Sequence, residues 1–223
     1  MTINTLIIDD HPLIIEANII ALKHFTSINK DVNFKINAAN NCDSAINLID
    51  SFSEKNPLDL VFLDIRLNPS KDGSILSGED LGIKIRNQFK EVKIILITTF
   101  NDNSRLNSIL KNVNPDGLMV KNNLTPKTLI KAIETVIDNG TYYCKTSSKL
   151  IRTLLSNDIT LDAIDRRILY ELSVGTKMNE LPNIIPLSIS GIEHRKRRLQ
   201  VIFNVNSNDD KSLILKARDK GFI

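Results

Sequence analysis

Leu6-Ile7-Ile8-Asp9-Asp10 sets two adjacent carboxylates at the end of an apolar run. A short run of branched aliphatics closed by turn signals reads as a strand buried on both faces, the kind that builds parallel sheets. Leu60-Val61-Phe62-Leu63-Asp64 repeats the pattern with one acid. Ile94-Ile95-Leu96-Ile97-Thr98 delivers a hydroxyl in the same way, and Gly117-Leu118-Met119-Val120-Lys121 an ammonium. Ligand sites of open α/β sheets lie outside the carboxyl ends of the strands, so these end groups converge. Three carboxylates gathered there repel one another unless a cation sits among them. Oxygen donors with room for water and a phosphoryl group suit Mg²⁺. The pattern describes a phosphoryl-transfer site with an aspartate as acceptor.

Helical periodicity fills the gaps between these strands. The spacing predicts helices over His11 to Phe25, Cys42 to Phe52, Gly78 to Phe89, Asn103 to Lys111 and Thr125 to Asp138, with Phe34 to Ala38 as an edge strand. Pro12 falls in a first helical turn, where a missing N–H costs nothing. This order predicts a doubly wound (βα)₅ unit with a five-stranded parallel sheet over residues 1–140. His11, directly after the acidic pair, is expected at a surface strand-to-helix turn.

The 223 residues suit one large or two modest domains, and 42% hydrophobic with 25% charged residues is a globular composition. Apolar stretches fall short of the roughly 18 residues that a membrane span needs. Cys42 and Cys144 are isolated, without metal-site or C-x-x-C spacing, so both are expected as free thiols of a cytoplasmic protein with no membrane partner.

The strand-end set resembles the receiver domain of two-component response regulators. That resemblance implies Asp64 as phosphoacceptor, and Mg²⁺ held by Asp9, Asp10, Asp64 and the main-chain carbonyl of Arg66. It also implies Thr98 as switch hydroxyl, Lys121 as the cation on the phosphoryl oxygens, and a sensor histidine kinase or phosphotransfer protein as donor. Two departures stand out. The loop from Arg66 to Gly78 is long for a receiver and is expected to be a surface insertion, since added loop length costs little free energy. Leu118 replaces the usual Tyr or Phe, which leaves the Thr98 hydroxyl as the switch element that the resemblance supports.

Residues 141–158 read as an interdomain linker, with a helical turn at Leu150 to Leu155. Residues 159–223 read as four helices. The first carries Leu161, Ile164, Ile168, Leu169 and Leu172 and ends at Gly175, and a short one spans Asn179 to Ile185. Ser188 caps a third that runs to Phe203, and the fourth runs from Asp209 to Lys220. Two helices joined by a short turn, the second bearing His194-Arg195-Lys196-Arg197-Arg198, describe a helix-turn-helix.

Ile168-Leu169, Gly175, Leu187-Ser188, Ile192, Leu199, Phe203, Val205 and the terminal Ala217-Arg218-x-x-Gly221 give this segment a resemblance to the NarL/LuxR-type DNA-binding domain. It implies contacts to double-stranded DNA from Ser190, His194, Arg195, Lys196, Arg197 and Arg198, with homodimerisation on activation. From residue 151 onward there are 12 Lys/Arg against 9 Asp/Glu, while residues 1–150 balance at 17 each, so the whole excess of basic charge lies in this part. Glu193 stands where the family often has Lys, and an acid there can accept from cytosine N4. The expectation is a phosphorylation-controlled transcription factor rather than an enzyme. The alternative is a regulator with a degenerate helix-turn-helix that works through protein contacts. A haloacid dehalogenase-like phosphatase is disfavoured, because Asp9-Asp10 lacks the D-x-D spacing of its nucleophile.

Overall fold

The computed structural model describes residues 1–99, 103–144, 161–206, 209–220 and 222–223, with the side chains of 103–107 excepted. The chain divides into two compact units. Up to residue 143, strands β1 (Thr2–Ile8), β2 (Asn33–Ala39), β3 (Leu60–Asp64), β4 (Lys93–Thr98), β5 (Gly117–Val120) and β6 (Tyr142–Tyr143) alternate with helices. These are α1 (Pro12–Ile28), α2 (Cys42–Ser51), α3 (Gly78–Gln88), α4 (Asn103–Val113) and α5 (Pro126–Ile137). All strands pair in parallel, in the order β2-β1-β3-β4-β5-β6. The strand order reverses at β1, whose neighbours are β2 and β3, and that switch point opens a crevice at the carboxyl end of the sheet.

The near-continuous apolar runs follow from cover on both faces. Ile7, Phe62, Ile95, Ile97 and Met119 pack with Leu22 and Phe25 of α1 and with Leu129, Ile133 and Val136 of α5. The alternate positions Leu6, Ile8, Val61, Leu63, Ile94, Leu96 and Leu118 are equally buried. Arg86 at the end of α3 donates to the carbonyls of Val92, Val113 and Asn114 at 2.6, 3.2 and 2.8 Å.

The sheet has six strands, not the five expected, and the sixth lies inside the segment assigned to the linker. Without β6, the outer carbonyls of β5 would form an open edge. Tyr142 N donates to Asp116 O at 2.9 Å and Cys144 N to Leu118 O at 3.3 Å, which closes part of it. The rest of the expected linker, including the turn at Leu150 to Leu155, lies outside the described residues.

The described part of residues 159–223, which belongs to the second unit, holds α6 (Ala163–Ser173), a 3₁₀ turn at Leu181–Asn183, α7 (Ile189–Ile202) and α8 (Asp210–Asp219). Among the described residues there are thus three α-helices and a turn where four helices were expected. Pro182 and Pro186 supply no N–H, so the segment before α7 closes a single turn and stops. Side chains of Asp162, Ser188 and Asp209 cap the three helices, accepting from Asp165 N, Gly191 N and Ser212 N. Gly175 ends α6 at φ 91°, with Thr176 N donating to Glu171 O at 3.0 Å. The core gathers Leu161, Ile168, Leu169, Leu181, Ile192, Leu199, Phe203, Leu213 and Phe222. The rings of Phe203 and Phe222 meet edge to face at 5.6 Å.

The Cys42 thiol opens α2 fully inside the protein, and burial, with the charges of Asp43 and Asp80 adding, pushes it up to about 12. A raised value keeps the thiol protonated and unreactive through the neutral range. At pH 8 a disulfide reagent is expected to leave Cys42 unlabelled in the native protein and to modify it fully in denaturant, as read by mass spectrometry of the peptides.

Candidate functional site

The end of β1 carries Asp9 and Asp10 into the crevice, the end of β3 carries Asp64, and Lys121 follows β5. Asp9 and Asp64 are 2% and 1% exposed, so neither charge is shielded by bulk water. Lys121 Nζ lies 2.8 Å from Asp9 Oδ1 and 2.7 Å from Asp64 Oδ2, tying strands that are 112 and 57 residues apart in sequence from it. His11 N donates to Asp9 Oδ1 at 2.8 Å, and Arg66 N to Asp64 Oδ1 at 3.1 Å. Burial, together with the neighbouring charge of Asp9, raises the Asp64 carboxyl above its ordinary value although Lys121 and the Arg66 N–H pull it down. Burial disfavours the Lys121 ammonium as well, but its bonds to Asp64 and Asp9 outweigh that, and its value is raised. One ammonium faces two buried carboxylates, and the site remains short of positive charge.

Donor atoms of Asp9, Asp10, His11 and Asp64 all lie within 4.8 Å of one another. Asp9 Oδ2 is buried with no hydrogen-bond partner, and the ammonium of Lys121 already occupies the space between carboxylates as a cation would. The residues fit a divalent ion. Thr98, 8% exposed at the end of β4, points its hydroxyl to Thr99 O at 3.5 Å, a weak bond that leaves the hydroxyl little held. Leu118 is completely buried within β5.

Two features escaped the sequence reading. Gly78 begins α3 against β3, with its N–H on Ile65 O at 3.1 Å. A Cβ there would stand 1.8 Å from the Asp64 carbonyl oxygen, so only glycine fits. The loop from Arg66 to Gly78 is a folded element. Asp72 accepts from Ser70 Oγ at 2.6 Å and from Ser74 N at 3.0 Å, which holds its carboxyl down at about 2. Ser70 and Ile75 bond across the turn, with Gly73 at φ 64° between them, and Lys71 N reaches Asp43 Oδ1 at 3.2 Å.

In the second unit, Ser190, Glu193, His194, Arg197 and Arg198 of α7 are exposed. Arg195 and Lys196 are instead engaged within the unit. Arg195 Nη1 lies 2.6 Å from Asp162 Oδ2 and 2.9 Å from Asp165 Oδ1, and its value is raised by those bonds. Lys196 Nζ lies 2.6 Å from Asp210 Oδ1, and Arg198 Nη2 lies 3.5 Å from the fully buried Asp165. The pairs of Arg195 link residues 30 and 33 apart and that of Lys196 residues 14 apart, and no local sequence signal announces them.

The response regulator receiver domain family matches residues 5–134. The oxygen regulatory protein NreC of Staphylococcus aureus (strain NCTC 8325 / PS 47) is 31% identical over 100 residues, which is 44% of this chain and 43% of that protein. The chain therefore matches less than half the length of this curated relative. RcsB from Salmonella enterica serovar Typhimurium, bound to promoter rprA in the presence of the phosphomimetic BeF3-, superposes with a TM-score of 0.65 at 20% identity, covering 97% of this chain and 98% of that one. An RcsB–DNA complex gives 0.56 at 20% identity over 98% and 99%. At this identity the likeness is one of fold.

Gly78→Ala is expected to lower stability by about 1–3 kcal/mol, the usual cost of forcing a methyl group into a packed site. Denaturant melts would measure it. An unchanged midpoint would mean that α3 shifts freely from β3.

Proposed function

Because the chain belongs to the response regulator receiver domain family, we propose that it is the response regulator of a two-component system, phosphorylated on Asp64 and acting through DNA. The observation that carries this is the meeting of Asp9, Asp64 and Lys121 at the carboxyl end of the sheet. A carboxylate oxygen of Asp64 attacks the phosphorus of a phosphohistidine, the phosphorus–nitrogen bond breaks, and the donor imidazole leaves. Mg²⁺ would be held by Asp9, Asp10, Asp64 and the Arg66 carbonyl, where it would neutralise charge on the phosphoryl oxygens. Lys121 bonds the same oxygens, and the Thr98 hydroxyl turns from its weak contact toward them, coupling phosphorylation to homodimerisation. Among the described residues no helix is long and apolar enough to cross a membrane, in keeping with a regulator that works on DNA. We assign residues 1–140 to the receiver and 159–223 to the output domain.

For the output, the exposed row Ser190, Glu193, His194 and Arg197 faces the bases. Arg198 meets phosphate, and Arg195 and Lys196 reach it only by leaving their carboxylates. RcsB, a relative in fold, is a DNA binder by its own description. The engagement of Arg195 and Lys196 within the unit favours the second reading, output through protein contact.

Asp64→Asn is expected to abolish labelling by acetyl phosphate while leaving the fold intact, and Thr98→Ala to take the label without dimerising in sedimentation. Stoichiometric label on the Asp64→Asn protein would sink the acceptor assignment. Arg197→Ala should cost about 1–3 kcal/mol on the preferred DNA fragment and relax one base pair. Equal affinity of this variant and of the Arg197/Arg198 double alanine for that fragment would hand the output to a protein partner.

A further inference from the structure

We propose that the first unit carries a second binding site, at the amino end of its sheet, for a small molecule that joins an aromatic ring to an ammonium group. A pocket of about 550 Å³ lies there, at the ends of β3 and β4 remote from Asp64 and Thr98. Phe52, Leu58, Phe89 and Val92 give it an apolar lining, and Phe52, Leu58 and Val92 are buried. Ligand pockets are hollows of this size, lined by apolar and aromatic side chains, with a few polar groups that select the occupant.

The walls follow from two helices that stop. Phe52 ends α2 and Phe89 ends α3, with their N–H groups on Ile49 O and Ile85 O at 3.2 and 2.8 Å. After each the chain turns into the next strand, β3 behind Leu58-Asp59 and β4 behind Val92, so consecutive α/β units bring the two rings together. The rings meet edge to face, with centroids 6.5 Å apart and planes at 88°.

Three features select a cation. Among the lining residues, Glu54, Asp59 and Glu91 face the single base Lys90. Asp59 Oδ2 accepts from Asn4 N at 2.7 Å, which holds that carboxylate in place at the wall. The carboxyl ends of α2 and α3 both reach the pocket, and a helix gathers partial negative charge on its last carbonyls. Arg86, in the last turn of α3, pairs with Asp116 and does not line the pocket. The rings of Phe52 and Phe89 attract an ammonium that comes within about 6 Å of their centres, and they stack on an aromatic body.

The test titrates tryptamine, and separately indole-3-acetate, into the full chain while nuclear magnetic resonance follows the signals of Phe52, Leu58, Phe89 and Val92. Tryptamine is expected to shift these signals and to bind about tenfold or more tightly than indole-3-acetate, which keeps the ring and reverses the charge. The Glu54→Gln/Glu91→Gln double variant changes two exposed side chains and leaves the core alone. It should weaken tryptamine about threefold or more. Phe89→Leu keeps much of the bulk and removes the ring, with a loss of about the same size. Equal affinity for the two compounds overturns the proposal, and so does a double variant that binds tryptamine as tightly as the parent. Shifts that bypass these four residues overturn it as well, as does the lack of any response at millimolar tryptamine. If a Phe-Lys dipeptide amide binds here and tryptamine does not, the pocket receives a protein partner and the small-molecule reading falls.

Discussion

The shortage of positive charge at the carboxyl end of the sheet governs the first unit. Asp9 and Asp64 are buried almost completely, and the single ammonium of Lys121 stands between them. Burying a carboxylate is costly unless it is paired, and here two share one partner. The parallel sheet makes the arrangement possible because it aims three strand ends into one crevice, with hydrophobic cover on both faces holding them in register. Folding therefore leaves the site unbalanced toward cations.

The second unit resolves charge in the opposite way. Its basic helix is pinned by acids from the two neighbouring helices, Asp162 at the cap of α6, Asp165 on α6 and Asp210 on α8. Asp165 is fully buried and Arg166 beside it is 1% exposed, its Nη1 on Leu161 O at 3.2 Å. Such pairs contribute orientation more dependably than stability, because desolvation offsets much of their attraction. A basic run read along the sequence thus overstates the charge that this helix offers outward.

Much of this was legible in the chain. Apolar runs closed by Asp9-Asp10, Asp64, Thr98 and Lys121 announce parallel strands and their shared end, because burial on both faces leaves no other place for polar groups. Helix starts at Thr125 and Ser188 were equally legible, since a capping side chain is a local device. What stayed hidden depends on pairing at a distance. β6 is two residues long, and only the open edge of β5 makes it a strand. The ion pairs of Arg195 require α6 and α7 to be packed first, and the need for glycine at position 78 appears only once α3 abuts Asp64.

That abutment has a further consequence for the loop after Asp64. Gly78 N bonds Ile65 O at 3.1 Å, so the residues between leave and re-enter the core at almost the same point. The Ser70–Asp72–Ser74 turn is closed by its own hydrogen bonds and needs little from the strands on either side. The segment is therefore a locally closed element that is also packed into the domain, with Leu67 5%, Ser70 4% and Ile75 9% exposed and Lys71 N on Asp43 Oδ1.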